Sequence, residues 1–371
     1  MSEEGKKKFG ELITRLINGE NLKRSEARDA MEQVLQDRQT GMHQGAFLAS
    51  LAAKGETREE IAGTWDAVFQ LDTVKAGPKV TAPLVENSGT GMDAVKTFNI
   101  STAAALVAAA AGVPMARHGA RAITSSCGTV DLLEELGLDV ECEAGLVDRS
   151  IEKAGIGIYN GMSPEIHPRA LGRILSQISF GTVLNLAASL ANPAMPEYAV
   201  RGVHSLEMLE TAPQVMGEIG YKKALVLHGL DGDGKSGMDE ASILGETRVA
   251  ELREDGSVVN FSFTPEDVGL SRGEKQELAP HQDRKKEAAR MITLLQGREK
   301  GAREDAVSLN AALVLFLVGK SSTITEGINF SREIIRSGRA VEKLKEWIEC
   351  QNHTPEKGLS RLQELSNQVA G

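Results

Sequence analysis

Cysteine is scarce: Cys127, Cys142 and Cys350 are the three in 371 residues. They have neither the spacing of a zinc site nor the density of a disulfide framework. That fits a reducing compartment and makes a cytoplasmic protein the expectation. No apolar run reaches the length of a membrane span. The strongest, 103–115 and 311–318, are too short, so no membrane association is expected. The N-terminal MSEEGKKKFGE is charged and lacks the apolar stretch of a secretory signal; its Lys6-Lys7-Lys8 run reads as solvated. Basic charge is not in excess either. A net charge of −10 argues against broad nucleic-acid binding, but it does not exclude an anionic ligand in a locally basic pocket. Neither an internal repeat nor a nucleophile–His–Asp constellation is present. What remains is an ordinary globular composition, 41% apolar and 25% charged, in a chain long enough for two domains.

Residues 1–75 read as helical. Phe9, Leu12, Ile13, Leu16 and Ile17 recur at helical spacing, as do Ala27, Ala30, Met31, Val34 and Leu35 behind a Ser25 cap. A third helix covers 43–54. A fourth opens on the capping box Thr57…Glu60 and buries Ile61, Trp65, Val68 and Phe69. These helices carry no catalytic-looking cluster, so packing, including a dimer surface, is their expected role. After the Ala76-Gly77-Pro78 hinge, strands and helices alternate. Strands are expected at 84–87, 112–116, 155–159 and 221–228, a helix at 132–136, and a hairpin from 249–252 to 258–263 around Asp255-Gly256. Residues 167–191 read as helical and are expected to rejoin the first domain. The charged stretch 282–304 reads as an exposed helix with its linkers. Helices close the chain. The expected fold class is α/β: a small N-terminal helical domain (1–75, with 167–191) plus a larger α/β domain (78–371) with a mostly parallel central sheet.

The most informative stretch is 88–131, SGTGMDAVKTFNISTAAALVAAAAGVPMARHGARAITSSCGTVD. Two small, hydroxyl-rich loops flank one alanine-rich helix. The first supplies Gly89, Gly91, Asp93, Lys96 and Thr97, and the helix begins at Asn99-Ile100-Ser101-Thr102. The second supplies Arg117, His118, Gly119, Arg121, Thr124, Ser125, Ser126 and Gly128. Glycines let backbone N–H groups approach a ligand, hydroxyls add hydrogen bonds, and a helix N-terminus adds a positive dipole end. Arginines and a lysine neutralise further charge. The pattern suits a phosphate-rich ligand. A glycine- and alanine-rich helix packed in an α/β core is the plainer reading, but it leaves the paired polar loops unexplained. Cys127 reads as a small packing residue in preference to a reactive thiol.

A second segment, 228–240, reads HGLDGDGKSGMDE. Its 229–236 part matches the G-x-x-x-x-G-K-S pattern of a nucleotide-binding P-loop. Asp231 and Asp233 would face the phosphates, however, and Gly237 interrupts the helix that must follow. A calcium loop fails because Lys235 sits where an oxygen ligand belongs. The adjacent carboxylates Asp239 and Glu240 suit Mg²⁺, which takes hard oxygen ligands, although an acidic helix start reads equally well from spacing alone.

Taken in order, Gly89-Thr90-Gly91-Met92-Asp93, Thr97 to Thr102, Arg117-His118-Gly119-Ala120-Arg121, and Ser125, Gly128, Thr129 and Asp131 resemble the anthranilate phosphoribosyltransferase family. The resemblance extends over nearly the whole chain, including 185–194 and Leu309-Asn310-Ala311-Ala312. It implies an active site in a cleft between the two domains, a homodimer, and a place in tryptophan biosynthesis. The implied reaction is Mg²⁺-dependent transfer of a phosphoribosyl group from phosphoribosyl pyrophosphate to an aromatic amine, anthranilate being the family default. By resemblance, Gly89, Asp93, Thr97, Asn99, Ser101, Thr102, Arg117, Gly119, Arg121, Ser125 and Thr129 bind substrate. Ser101, Asp239 and Glu240 hold metal, and Lys96, Arg117 and His118 serve the chemistry, with His118 as a positioning residue in preference to a base. The loop before Asp239 is longer than the family's usual form. The acceptor side also departs from the family. Met92 replaces a glycine, Ala120 an asparagine, and Leu175 stands near the position of the acceptor-binding arginine. Either Arg173 or Arg169 replaces that arginine, or the acceptor is not anthranilate. Two other readings stay open: a non-enzymatic or altered-acceptor paralogue that binds nucleic acid, and a nucleoside phosphorylase of the same superfamily.

Overall fold

The structure is a computed structural model that describes residues 3–91, 94–122, 127–234 and 236–370. Four helices come first: Glu3–Ile17, Arg24–Leu35, Gly41–Lys54 and Arg58–Asp72. The fourth starts as its sequence dictates. The Thr57 hydroxyl accepts from the Glu60 N–H, and the Glu60 carboxylate accepts from the Thr57 N–H at 2.8 Å. The third starts earlier than expected because Thr40 caps it, accepting from the His43 N–H. Ser25 is not the cap of the second. It lies inside the first turn, and the Glu26 carboxylate accepts from the Lys23 N–H at 2.9 Å.

Phe9, Leu16, Met31, Phe47 and Trp65 form one core with Leu171, Ile174, Leu184 and Leu190. Segment 167–191 is less helical than its pattern predicts: only Leu171–Leu175 and Leu184–Ala187 are regular. Distant groups hold its backbone in addition to its own short turns. The buried Asp72 carboxylate accepts from the N–H groups of Arg169, Ala170 and Leu171 at 2.5–2.9 Å, and the Trp65 indole N–H donates to the Leu190 carbonyl.

Eight strands form one sheet: β1 Val85–Ser88, β2 Met115–Gly119, β3 Ile156–Asn160, β4 Tyr198–Gly202, β5 Lys223–Leu230, β6 Gly237–Met238, β7 Thr247–Leu252 and β8 Val258–Phe263. The order is β3-β2-β1-β4-β5-β7-β8, with β6 paired to β5. The first five strands run parallel, and β6, β7 and β8 add antiparallel pairs. From β1 the chain builds outward through β2 and β3; from β4 it builds the other way. The sheet therefore has a topological switch between β1 and β4, and in open parallel sheets ligands bind beyond the carboxyl ends of the strands at such a switch.

β4 was not expected from the sequence. A five-residue strand with an arginine in it does not read as a central, two-sided core strand. The structure resolves this by pairing. Arg201 and Glu86 in neighbouring β1 lie 3.2 Å apart, both at 0% side-chain exposure, and the Tyr221 hydroxyl donates to the same carboxylate at 2.9 Å. Burial pushes the Glu86 carboxyl up against the opposing pull of Arg201.

The alanine-rich helix is Ile100–Ala110, packed against Ala302–Leu317. Ala103, Ala104, Ala105 and Ala108 are fully buried, so the small side chains are what let the two helices approach closely. The stretch expected to be exposed, 282–304, is only partly so. Its helix Arg284–Leu295 buries Met291, Ile292, Leu294 and Leu295, and Glu287 pairs with Arg303 in the interior. No helix among the described residues is long and apolar enough to cross a membrane.

Removing one member of the Glu86–Arg201 pair leaves a buried charge without its partner. Arg201→Met is expected to lower unfolding stability by about 3–5 kcal/mol, measured by urea titration. A Glu86→Leu/Arg201→Met double variant should recover a large part of it. A double variant no more stable than the single one would refute the pairing argument.

Candidate active site

The carboxyl ends of β1 and β2 open into a cavity of about 500 Å³. Its floor is loop 88–91 and the start of helix Ile100–Ala110. One side is formed by 117–122 and 127–129, and the opposite wall by 171–189.

The first loop is drawn against Asp239. This carboxylate is 7% exposed. It accepts from the Gly91 N–H at 2.7 Å and from the Thr90 hydroxyl at 3.4 Å. A Cβ on Gly89 would stand 2.3 Å from its Oδ2, and one on Gly202 would strike the Asp239 carbonyl oxygen at 1.6 Å. Gly202 therefore needs glycine on space alone, since the obstacle is backbone, whereas a Cβ at position 89 would push the Asp239 carboxylate aside. Glu240 accepts from the Ser101 N–H at 3.1 Å, which sets a carboxylate on the helix N-terminus. Asn310 fixes the next peptide, donating to the Ala241 carbonyl and accepting its N–H. Residues 94–99 are tied from below. Ala94 and Val95 donate to the Gly237 carbonyl, Phe98 donates to the Leu278 carbonyl, and the Arg303 guanidinium lies 3.8 Å from the Phe98 ring centroid.

Arg117 sits in the middle of β2 and is buried. It donates to the Thr102 hydroxyl at 2.7 Å, the Ser101 hydroxyl at 3.1 Å and the Asn87 carbonyl at 3.4 Å. Burial lowers its pKa to about 10, against the pull of Glu240 and Glu86, so it remains a cation at neutral pH. The ends of the second loop are gathered by Asp131, whose Oδ2 accepts from the Ala122 N–H at 2.8 Å and the Gly128 N–H at 3.0 Å. Arg121 pairs with Glu134 and Glu141, which raise its pKa. Cys127 is buried and its thiol is pushed up to about 12, first by burial and then by Asp131; it is a packing residue and not a thiolate at neutral pH.

His118 meets His167, a residue the sequence did not single out. Their Nε2 atoms lie 3.0 Å apart, His118 Nδ1 faces the Ser189 carbonyl at 3.3 Å, and His167 Nδ1 faces the Asp72 carbonyl at 2.7 Å. Burial lowers His118 to about 4, and burial with the neighbouring ring lowers His167 to about 3. Two neutral rings carry two protons for these three contacts. The shorter Asp72 contact keeps the proton on His167 Nδ1, so His118 donates from Nε2 to His167 Nε2, and its unprotonated Nδ1 stands against the Ser189 carbonyl without a hydrogen bond.

Lys96, Gly89, Thr97, Asn99, Ser101, Arg117, His118, Gly119, Arg121, Thr129, Asp239 and Glu240 all line this one cavity. Thr102 does not: it stands behind Arg117 and acts through it. Asp93, Ser125 and the neighbouring Met92, Thr124 and Ser126 lie outside the described residues. Arg173 is placed elsewhere. It points to the N-terminal helices, donating to Gln44 Oε1 and the Val34 carbonyl and lying 3.7 Å from Asp37. Arg169 does not line the cavity either, whereas Leu175 does. The described residues 231–234 and 236 connect antiparallel β5 and β6, with the Asp231 N–H donating to the Ser236 carbonyl, and no helix follows among the described residues, so 229–236 is not a P-loop. Asn185 and Ser189 also line the cavity; Asn185 opens the 185–194 stretch that carried the resemblance, but the sequence marked neither as a site residue.

Residues 81–341 match the model of the glycosyl transferase family a/b domain, and residues 10–71 match the helical bundle domain of that family. The chain is 36% identical over 342 residues to anthranilate phosphoribosyltransferase of Listeria welshimeri, covering 92% of this chain and 97% of that protein. It is 38% identical over 340 residues to that of Anaeromyxobacter dehalogenans, covering 91% and 96%. The crystal structure of the Thermus thermophilus anthranilate phosphoribosyltransferase superposes with a TM-score of 0.80 at 33% identity, over 95% of this chain and 99% of that one. The Saccharomyces cerevisiae enzyme, solved with phosphoribosyl pyrophosphate and Mg, shares the fold with a TM-score of 0.80 at 23% identity, over 97% and 99%. On the motifs, the fold and these likenesses, the chain belongs to the anthranilate phosphoribosyltransferase family and is a phosphoribosyltransferase.

Proposed function

We propose that the chain transfers the phosphoribosyl group of phosphoribosyl pyrophosphate to an aromatic amine in a Mg²⁺-dependent reaction, with anthranilate as the default acceptor of its family. The observation that carries this reading is the meeting of a glycine loop, a helix N-terminus, buried Arg117 and two carboxylates on one cavity at the switch point of the sheet. The yeast relative's complex with the donor and Mg supports it from outside.

The residues present suit Mg²⁺. Asp239 is nearly buried and accepts from the neutral Gly91 N–H and Thr90 hydroxyl, Glu240 lies beside it, and the Ser101 hydroxyl opens on the same cavity. Among the described residues there is no cluster of three or more carboxylate, histidine or cysteine groups that holds an ion by itself. That agrees with a cation held by one or two carboxylates and completed by substrate phosphates and water. When bound, Mg²⁺ would neutralise the pyrophosphate as it leaves. The rest is done by the chain. Loop 89–91 and the N–H groups of helix Ile100–Ala110 orient the phosphates, with Lys96 and Arg117 adding positive charge where negative charge develops. The acceptor amine is neutral and attacks through its own lone pair, so no strong base is required. Neutral His118, locked by His167, positions the acceptor wall. A homodimer is part of the same reading; exposed Ile17 and Met42 on the N-terminal helices give it apolar surface to use.

Calorimetry with phosphoribosyl pyrophosphate and Mg²⁺ tests the site. Asp239→Asn and Ser101→Ala are each expected to weaken donor binding roughly 10- to 100-fold, the range for losing one hydrogen bond to a charged group, with far-UV spectra unchanged. Unchanged affinity in both would reject the assignment. Turnover is followed by pyrophosphate release together with loss of anthranilate fluorescence.

The histidine pair predicts a pH dependence of stability. Unfolded histidines titrate near 6.5, whereas the folded rings stay neutral down to about 4 and 3. Stability is therefore retained above about pH 6.5 and falls as pH drops toward 4, because the unfolded chain takes up protons that the folded chain refuses. A His118→Asn/His167→Asn variant should lose less stability between pH 7 and 4.5 than the parent, by about 2 kcal/mol per ring at most. Equal slopes in urea titrations at the two pH values would contradict the buried neutral pair.

A further inference from the structure

We propose that the acceptor of this chain is an uncharged aromatic amine, one that brings no carboxylate into the cavity. The proposal rests on the phosphoribosyl-transfer reading and narrows its second substrate.

The wall facing the donor loops is apolar. Leu171, Leu175, Ile178 and Leu184 line it, and Phe180, half exposed, stands where a ring can stack on it. The polar donors on this side, Asn185 apart, are already taken up. His118 faces His167 and the Ser189 carbonyl, and the Ser189 hydroxyl donates to the Leu186 carbonyl at 2.8 Å. Asn185 accepts the Thr182 N–H through Oδ1 at 2.8 Å, which leaves its NH₂, a neutral donor, for a ligand.

Cations are disposed the other way. Arg173 is turned to Gln44, Val34 and Asp37. Among the described residues the lysine and arginines lining the cavity are Lys96, Arg117 and Arg121, all on the donor loops. Arg117 is bound to Thr102 and Ser101, and Arg121 to Glu134 and Glu141. Asp239 and Glu240 add negative charge to the same space. A carboxylate pressed on the leucine wall would lose its water without gaining a cation, which strongly disfavours it. An uncharged ring gains from the same burial, and a neutral carbonyl on it can accept from Asn185.

The bond changes are those of the transfer itself. The ribose C1′–O bond breaks with its electron pair leaving on pyrophosphate. The amine nitrogen lone pair forms the N–C1′ bond, and the nitrogen gives up one proton to water or to the leaving pyrophosphate. No oxidant or reductant takes part.

The test compares aniline, 2-aminobenzamide and anthranilate at saturating phosphoribosyl pyrophosphate and Mg²⁺, reading pyrophosphate release and the ribosylated product by mass. 2-Aminobenzamide has nearly the shape of anthranilate without its charge. At least one uncharged amine is expected to exceed anthranilate in kcat/KM by roughly 10- to 100-fold, the scale of one charge-assisted hydrogen bond. Leu175→Arg, which sets a guanidinium on the wall, alone or with Ala120→Asn, should shift the preference toward anthranilate by a similar factor with donor affinity unchanged. Preference for anthranilate in the parent would overturn the proposal. So would absence of turnover with all three amines while the donor binds. Failure of the donor to bind would instead overturn the phosphoribosyl-transfer reading beneath it.

Discussion

Glu86 and Arg201 meet inside the sheet with no access to solvent, and the site is built outward from that contact. They lie on β1 and β4, the two strands at which the chain reverses its direction of sheet building. Burial makes two charges expensive there, and the pair answers with mutual attraction and the Tyr221 hydroxyl. Just beyond Glu86 the strand gives way to the glycine loop. Just beyond Arg201 comes Gly202, pressed on the Asp239 backbone. The register of these two strands therefore fixes how near the loop comes to the carboxylate that holds it.

That nearness explains the composition of the region. Gly89 and Gly202 leave no room for a Cβ between themselves and Asp239. The buried alanines of helix Ile100–Ala110 keep it slim where it packs against helix Ala302–Leu317, from which Asn310 reaches back to hold peptide 241. Small residues are the means by which a polar site is supported on a close-packed interior. The helix N-terminus at Ser101 then lies where Glu240 accepts from it, beside Arg117.

The cavity has two chemistries because two parts of the chain build it. The strand ends bring charged and hydroxyl groups in a backbone cradle, suited to phosphate. Segment 171–189, packed on the N-terminal helices, brings leucines, a phenylalanine and an amide. His118 stands where the two meet. Its ring is kept neutral by burial and is oriented by His167, whose own orientation comes from the carbonyl of Asp72 at the end of the fourth helix. The helical layer thus reaches the reacting space through one hydrogen-bonded chain.

The donor half was legible in the sequence because its residues are near neighbours along the chain. Gly89, Ser101 and Arg117 fall within a strand–helix–strand unit, and Thr129 opens the helix that follows it, so their geometry follows from local periodicity and turn chemistry. The helices of the first domain were legible for the same reason, and Thr57…Glu60 marked one start correctly. Strand β4 was hidden, since Arg201 is tolerable in a buried strand only with Glu86 opposite, more than a hundred residues away. His167 was not singled out, and Asn185, though part of the stretch that carried the resemblance, was not marked as a site residue, because Asp72 and Trp65 help to position segment 167–191. Arg173 shows the limit most plainly. One turn of sequence contains both Arg173 and Leu175, and no periodicity says which faces the cavity. The sequence by itself determined the class of fold and marked the glycine- and hydroxyl-rich loops and the carboxylate pair that meet on the cavity. Only tertiary packing decided that Arg173 turns to the N-terminal helices and Leu175 to the ligand, because that choice depends on which distant surface each residue meets.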